Sequence, residues 1–150
     1  MTPDPPDSEV ELVEVDVANW RAVCALQVRP EQTDFVAPVS YYLALCTYGP
    51  DWSPLAIMAG RENVGFVMWA VDDADNSFWI GGLLVSAELQ RRGYGRAAME
   101  LLLEMAAERG HKEVALTYQS ANPARELYGR LGFVDTGEME DDEVVARLPV

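Results

Sequence analysis

The apolar pattern of this 150-residue chain changes its period once, directly after Val85, and this change limits the folds open to it. From Tyr94 to Arg109 the apolar residues recur at helical spacing, which predicts a helix. The change follows three apolar segments, at 55–59, 64–71 and 78–85. Turn-forming residues separate these segments from one another. Their lengths and the turns between them predict the strands of an antiparallel meander. The chain is therefore predicted to combine a sheet with a helix that follows the last strand of the meander.

The rest of the chain supplies further elements, predicted from apolar spacing and from the residues that start and stop helices. The predicted strands span 10–17, 114–118, 133–138 and 143–148, and the predicted helices span 19–28, 39–47 and 123–131. Asn19 and Asn122 are the predicted N-caps of the first and last of these helices. The order of elements predicts an α/β fold with a mixed, mostly antiparallel sheet of about six to seven strands, flanked by about four helices.

Length and composition predict one globular domain at residues 10–150, preceded by a disordered lead at 1–9 that carries three prolines and three acids. The lead has no apolar run of the signal-peptide type, and no segment approaches the ~20 apolar residues of a membrane span. Cys24 and Cys46 lie in apolar surroundings without a CxxC motif, which predicts reduced core thiols in a cytoplasmic protein. His111 stands in a polar turn and is predicted to be solvated. A lone histidine predicts no metal site.

The chain is strongly acidic, with a net charge of −14. This charge argues against nucleic acid as a partner, because phosphates require a basic surface. A negative field concentrates cationic small molecules such as polyamines, whereas the plainer interpretation is that the charge serves solubility alone. Both interpretations stay open.

The segment from Leu83 to Arg96, LLVSAELQRRGYGR, is the most informative part of the sequence. An apolar strand is followed by a short link, two glycines and the start of a helix, where free backbone amides and the helix dipole attract phosphate oxygens. Glycine allows close approach of a ligand and unusual backbone angles. Three arginines, at positions 91, 92 and 96, add positive charge in an acidic chain. The segment predicts an anion site, and the alternative is a basic first turn in which the glycines serve only the turn.

Two motifs resemble those of the GCN5-related N-acetyltransferases, the GNAT family. Gln90-Arg91-Arg92-Gly93-Tyr94-Gly95 is similar to the family's pyrophosphate loop, Q/R-x-x-G-x-G/A. About thirty residues on, the segment from Asn122 to Tyr128, NPARELY, leads to Leu131-Gly132-Phe133 and is similar to the family's second signature. The resemblance covers residues 10–148. It implies a GNAT-like sandwich and an acetyltransferase with acetyl-CoA as its co-substrate.

The resemblance also implies roles for individual residues in coenzyme binding and catalysis. The backbone of Leu83, Leu84 and Val85 would pair with the pantetheine arm. The backbone amides of the loop would hold the pyrophosphate: Gln90, Arg91, Arg92, Gly93, Tyr94, Gly95 and Arg96. Asn122 would approach the coenzyme arm, or serve as an N-cap, or both. Tyr128 would protonate the departing thiolate, whereas helical spacing by itself favours a packing role for Tyr128 in the core.

The acceptor side is less defined by the resemblance. Polyamine acetyltransferases of this family often carry a glutamate on the strand before the loop, and the matching position here is Gly81. That glutamate would accept the proton of the attacking amine. Four other acids are candidates for this role, and each is also an ordinary surface acid: Glu31, Asp34, Asp72 and Asp73. The pattern Asn19-Trp20, then Val28-x-Pro30-Glu31-Gln32-x-x-Phe35-Val36, resembles bacterial diamine or spermidine acetyltransferase-like members. This places Glu31 and Phe35 near the acceptor site.

The leading hypothesis is direct acetyl transfer to a primary amine, first of all a polyamine or diamine, in a ternary complex without a covalent enzyme intermediate. One alternative is an acetyltransferase for another small amine or a protein N-terminus. Another is a non-catalytic acyl-CoA sensor. The presence of Tyr128 argues against a sensor, and the absence of an acid at Gly81 argues for one. Homodimers are frequent in this family, so a homodimer is among the expectations.

Overall fold

A computed structural model describes residues 9–49 and 51–150, so nearly all of the predicted N-terminal lead lies outside the described residues. Within this part of the chain there are seven strands: β1 (Val10–Glu14), β2 (Ser53–Ala59), β3 (Glu62–Val71), β4 (Phe78–Val85), β5 (Glu113–Tyr118), β6 (Val134–Glu140) and β7 (Glu143–Pro149). The same residues form four α-helices: α1 (Trp20–Cys24), α2 (Val39–Tyr48), α3 (Tyr94–Glu108) and α4 (Arg125–Leu131). The predicted fold class, with its strand and helix numbers, is confirmed.

The seven strands form a single sheet in the order β1-β2-β3-β4-β5-β7-β6. Every neighbouring pair is antiparallel except β4 and β5, which are parallel. The parallel pair is the point where α3 crosses over, since parallel neighbours need a long connection. The predicted meander of β2, β3 and β4 and the predicted closing pair of β6 and β7 are confirmed.

Each face of the sheet has its own apolar core. On one face, Met99 and Leu102 of α3 and Tyr128 of α4 pack against strand residues such as Ile57 and Phe78. On the other face, the core joins the first two helices to the sheet: Val23, Val39, Ala56, Phe66, Met68 and Leu84. The fold is therefore a three-layer sandwich, with α3 and α4 on the first face and α1 and α2 on the second.

The predicted helix at 19–28 begins after its predicted N-cap residue, Asn19, but it ends at Cys24 and is therefore shorter than predicted. Asn19 gives no side-chain cap, because its amide group donates to the Glu14 carbonyl at 2.9 Å and accepts from the Asp16 amide at 2.9 Å. The same turn ends β1 at Glu14, short of the predicted Val17. After Cys24 the chain leaves the helix, and the Gln27 carbonyl accepts a hydrogen bond from the Ala87 amide at 2.8 Å. A tertiary contact therefore overrides the local helical pattern.

Two further predictions are corrected in the C-terminal half. Asn122 does not cap a helix at Pro123, because its side chain accepts from the Ala124 amide at 2.9 Å and closes a turn, and α4 begins only at Arg125. His111 is buried rather than solvated: its Nδ1 lies 2.8 Å from the Asn76 carbonyl oxygen, and its ring packs beside Phe78. None of the helices in the described ranges is long and apolar enough to cross a membrane.

Replacement of Gly65 by alanine is expected to destabilise the contact between β3 and β4. Gly65 lies opposite Val85, and a Cβ atom there would collide with the Leu84 carbonyl oxygen. Because the obstacle is backbone, the strands must move apart, and we expect the free energy of unfolding to fall by about 1–3 kcal/mol. Urea denaturation measures the change. The matched control is Gly129→Ala on α4, where no atom lies within 4 Å and alanine favours the helix, so equal stability of the two variants would contradict this strand packing.

Candidate active site

The parallel strands β4 and β5 separate after a short region of pairing. They pair at three positions, Phe78–Val114, Trp79–Ala115 and Ile80–Leu116, and have no register beyond them. Just past this point β4 carries a bulge: Gly82 and Leu83 together lie opposite Val67 of β3. Gly82 adopts a φ of 63°, a conformation that glycine tolerates best. Since a bulge bends the strand that carries it, β4 turns away from β5 and the sheet opens.

A cleft of about 940 Å³ fills this opening. Its wall includes Tyr42 and Leu45 of α2 on one face of the sheet and Leu127 and Tyr128 of α4 on the other. Because these helices lie on opposite faces, the cleft passes through the sheet. The predicted strand residues Leu83, Leu84 and Val85 form one edge of it.

The loop between β4 and α3 has the geometry of an anion site. Arg91 and Gly93 adopt left-handed backbone conformations, with φ of 64° and 89°, while Arg92 between them does not. With these alternating conformations, successive backbone N–H groups point into one concave site that fits an anion. Within the described residues, the amides of 90–93 donate to no acceptor, and the first amides of α3 are free as at any helix start. Anions are favoured at this end of a 15-residue helix by its dipole as well.

The three arginines of this loop are placed differently. Arg91 and Arg96 line the cleft, whereas Arg92 is exposed outside it. Arg96 pairs with Glu100 at 2.9 Å on the surface of α3, and solvent screens such a pair. The other loop residues that line the cleft are Gln90, Gly93, Tyr94 and Gly95.

The side chain of Gln90 braces the loop. Its Nε2 donates to the Val85 carbonyl at 2.9 Å and to Gln32 Oε1 at 2.7 Å, and Gln32 Nε2 donates back to Gln90 Oε1 at 2.9 Å. The Ser86 amide donates to Val64 of β3, so the carbonyl of Val85, one residue earlier, points to the cleft side. A carbonyl has two lone pairs and can accept a second donor there.

Residues 27–36, here called the crossing segment, span the mouth of the cleft. The Gln27 carbonyl meets Ala87 beyond β4, and Gln119 beyond β5 donates to the Asp34 carbonyl at 3.1 Å. The segment thus ties the two separated strands together. Of the two residues predicted near the acceptor site, Phe35 lines the cleft, whereas Glu31 is exposed and does not line it.

Tyr128 packs in the core and also lines the cleft. Its ring packs against Tyr118 and Phe133, with centroid distances of 5.8 and 6.2 Å, and it also lines the cleft. Burial raises the pKa of the Tyr128 phenol far above its ordinary value, and Tyr42 and Glu143 raise it further. The phenol is therefore a protonated donor at neutral pH. Asn122, which starts the turn before α4, lines the same cleft.

A sequence model of the acetyltransferase (GNAT) family matches residues 16–133. The chain belongs to the GNAT acetyltransferase family. It is thus an N-acetyltransferase that depends on acetyl-CoA, and the cleft through the sheet is the candidate site for this coenzyme. No curated protein sequence matches the chain.

Solved structures of the same fold are similar over nearly the whole acetyltransferase. A domain from Methanocaldococcus jannaschii DSM 2661 superposes with a TM-score of 0.78 at 18% identity, covering 96% of this chain and 100% of that one. The spermidine N-acetyltransferase from Vibrio cholerae, solved with CoA and spermine, gives 0.72 at 16% identity and covers 94% of each chain. The ribosomal-protein-S18-alanine N-acetyltransferase from Escherichia coli gives 0.70 at 20% identity, covering 95% of this chain and 94% of that one. At these identities the similarity shows the fold.

Sequence reasoning missed several residues of the acetyltransferase cleft. Trp52 precedes the meander, and its ring lies where a side chain at Gly81 would project: a Cβ there would be 3.1 Å from Trp52 Cη2. Glu143 starts β7 and lines the cleft beside Thr117 of β5. No local motif marks these residues, since only the sheet order brings β7 next to β5. The acids considered as substitutes, Asp34, Asp72 and Asp73, are exposed and outside the cleft.

We expect the brace at Gln90 to control coenzyme affinity. Gln90→Ala removes three side-chain hydrogen bonds and loosens the loop, so the Kd for CoA is expected to rise about tenfold, which corresponds to about 1.4 kcal/mol, close to the net contribution of one hydrogen bond. Gln32→Ala is expected to have a smaller effect, and the double variant should resemble Gln90→Ala, because the two residues share their bonds. Calorimetric titration with CoA measures all three. Additive effects would contradict a shared brace.

The buried phenol of Tyr128 gives a prediction for alkaline pH. Because the folded-state pKa lies above the unfolded value near ~10, the unfolded chain ionises first, and the stabilising contribution present below pH ~10 is lost as pH rises beyond it. The free energy of unfolding should therefore fall more steeply above pH ~10 in the native chain than in Tyr128→Phe. Urea titrations at several pH values test this. Parallel slopes would show that Tyr128 titrates like an exposed tyrosine.

Proposed function

We propose that this acetyltransferase transfers the acetyl group of acetyl-CoA to a primary amine of a polyamine or diamine, by direct attack in a ternary complex. The observation that carries the proposal is one cleft through the sheet with two unlike ends. The loop between β4 and α3, here called the anion loop, lies at one end together with Arg91. Aromatic rings and the carboxylate of Glu143 stand at the other, on the face of α2.

The coenzyme would enter from the side of α3 and α4. The amides from Gln90 to Arg96 would hold the pyrophosphate, the open edge of β4 at Leu83, Leu84 and Val85 would pair with the pantetheine arm, and Asn122 would approach that arm. The free amides of the loop and the absence of any β5 partner for this part of β4 support these roles. The thioester would then lie in the gap between the strands, where Tyr128 lines the cleft.

The reaction requires an acid for the leaving group. The neutral amine attacks the thioester carbonyl carbon, a tetrahedral oxyanion forms, and its collapse breaks the C–S bond. Tyr128 would give its phenolic proton to the departing sulfur and recover a proton from the new amide nitrogen. The phenol holds a proton at neutral pH, although burial raises its pKa and so makes it a weaker acid than an ordinary phenol. No cysteine is needed as a nucleophile, and burial raises the pKa of the Cys46 thiol to about 11, which keeps it protonated.

A cationic acceptor is supported by the lining of the acceptor end. Aromatic rings hold alkylammonium groups by cation–π attraction. The rings that line this end are those of Phe35, Tyr41, Tyr42, Trp52 and Trp79. The Vibrio cholerae enzyme of the same fold is a spermidine N-acetyltransferase, which agrees with a polyamine here, and the Escherichia coli enzyme, which acts on an alanine of a ribosomal protein, represents the alternative of a protein N-terminus.

The proposal extends to cellular context. Both cysteines are free thiols, which suits a reducing cytoplasm. A homodimer through the C-terminal strands is part of the same proposal, because β6 is an exposed edge strand.

Release of free thiol from acetyl-CoA tests the reaction. We expect release that depends on spermine, spermidine or putrescine, and a rate about 10²–10⁴-fold lower in Tyr128→Phe, because the phenolic proton is lost. The matched control is Tyr118→Phe, which removes a phenol from the ring next to Tyr128 in the same cleft. The control should retain most of the activity.

The other outcomes separate the alternatives. Release with aminoglycosides, amino acids or an N-terminal peptide but not with polyamines would reject the polyamine acceptor and keep the transferase. A larger loss in Tyr118→Phe than in Tyr128→Phe would move the acid to Tyr118.

A further inference from the structure

Glu143 differs from the other carboxylates that line the cleft. Glu126, Glu140 and Asp141 also line it, but they are exposed, whereas Glu143 is half-buried. Within the described residues it is therefore the cleft carboxylate that is most removed from solvent. A charge in such a position interacts more strongly with a ligand than an exposed one does.

Glu143 is held in place on the acceptor face of the sheet. Its Oε2 accepts a hydrogen bond from the Thr117 hydroxyl at 2.6 Å. Thr117 precedes Tyr118 on β5, and Tyr118 packs against Tyr128 on the α4 face, so strand alternation directs Thr117 to the face of α2. The side chain of Glu143 is thus fixed toward the aromatic end of the cleft.

The second oxygen of Glu143 has no partner in the protein. Among residues 9–49 and 51–150, no hydrogen bond reaches Oε1 and no lysine or arginine lies within 4.0 Å of the carboxylate. Half-buried charges are ordinarily paired, since desolvation without a partner is costly. The free oxygen of Glu143 can therefore accept a donor from a ligand.

Two aromatic groups lie close to this carboxylate. Its negative charge contributes to the raised pKa of both Tyr42 and Tyr128, after burial as the first cause. Tyr42 stacks on Phe66 with a centroid distance of 5.9 Å and lines the acceptor end. Glu143 therefore shares one region with the aromatic wall and with the proposed acid.

The chemistry decides which nitrogen of an acceptor this carboxylate can hold. A carboxylate beside the reacting nitrogen raises the pKa of that ammonium, which opposes attack by this nitrogen until its proton is transferred. The second nitrogen of a diamine stays charged throughout the reaction and has no such conflict. We propose that Glu143, oriented by Thr117, binds the non-reacting ammonium of a diamine or polyamine and so selects acceptors with two cationic nitrogens. This inference rests on the proposed function and assigns its selectivity to one residue.

The test compares 1,4-diaminobutane with 1-aminobutane, which has the same chain and reacting group but no second ammonium. In Glu143→Gln, the KM for the diamine is expected to rise about 10- to 100-fold with kcat nearly unchanged, because a hydrogen bond to a charged group is lost. The constants for the monoamine should stay the same. The matched control is Asp142→Asn, which removes one negative charge from the same hairpin outside the cleft and should change neither amine.

Thr117 is tested as a positioning residue. Thr117→Val keeps the shape of the side chain and removes the hydroxyl donor, so the KM for the diamine should rise by a smaller factor than in Glu143→Gln. Thr117→Ser keeps a hydroxyl and should have the native KM. A purely structural role would not be rescued by the hydroxyl in this way. Equal rises in KM for both amines, or a fall in kcat with KM unchanged, would overturn the inference, and an unchanged diamine KM in Glu143→Gln would do the same.

Direct binding separates this inference from the reaction. Calorimetric titration of the CoA-bound protein with 1,4-diaminobutane needs no turnover. Binding that Glu143→Gln weakens, without thiol release, would support the ammonium site and reject the proposed function. Thiol release with diamine binding that is equal in the native chain and in Glu143→Gln would keep the function and reject the site.

Discussion

The site depends on one feature of the sheet, the early end of the pairing between β4 and β5. A parallel pair inside a sandwich is ordinarily covered on both faces and continuous. Here three pairs of residues hold the strands together, and the bulge at Gly82 then turns β4 away. The unpaired edge of β4 leaves backbone groups free, and the gap lets a ligand reach from one face to the other. The anion loop follows β4 directly, so the same bend determines where the loop lies.

The crossing segment compensates for the lost pairing. It replaces strand-to-strand hydrogen bonds by contacts from Gln27 and Gln32 to the β4 side and from Asp34 to Gln119 on the β5 side. Gln32 also bonds to Gln90, so the segment that carries Phe35, the proposed acceptor residue, is joined to the loop proposed to bind the coenzyme.

The strand, the glycine-containing loop and the helix start within residues 83–96 were predictable from the sequence because they are contiguous in the chain. The meander and α3 were predictable because their apolar periods are long and clear. Asn19 occupies its predicted N-cap position and Asn122 does not, and neither side chain caps its helix, because an asparagine side chain binds nearby backbone in several ways and the local pattern does not choose among them. Trp52, Thr117 and Glu143 were missed for another reason: they meet only through the strand order, which places β7 beside β5.

Gly81 links these observations. With Trp52 against it, the strand before the loop presents an aromatic surface in place of a carboxylate. In the proposed reaction the ammonium must still lose a proton, which at pH 7 costs about 4–5 kcal/mol for a pKa near ~10.4. A turnover of about 10 s⁻¹ corresponds to a total barrier of about 16 kcal/mol, so loss of the proton to water accounts for less than a third of it. The acceptor end can therefore use its half-buried carboxylate for recognition, because deprotonation does not require a dedicated base.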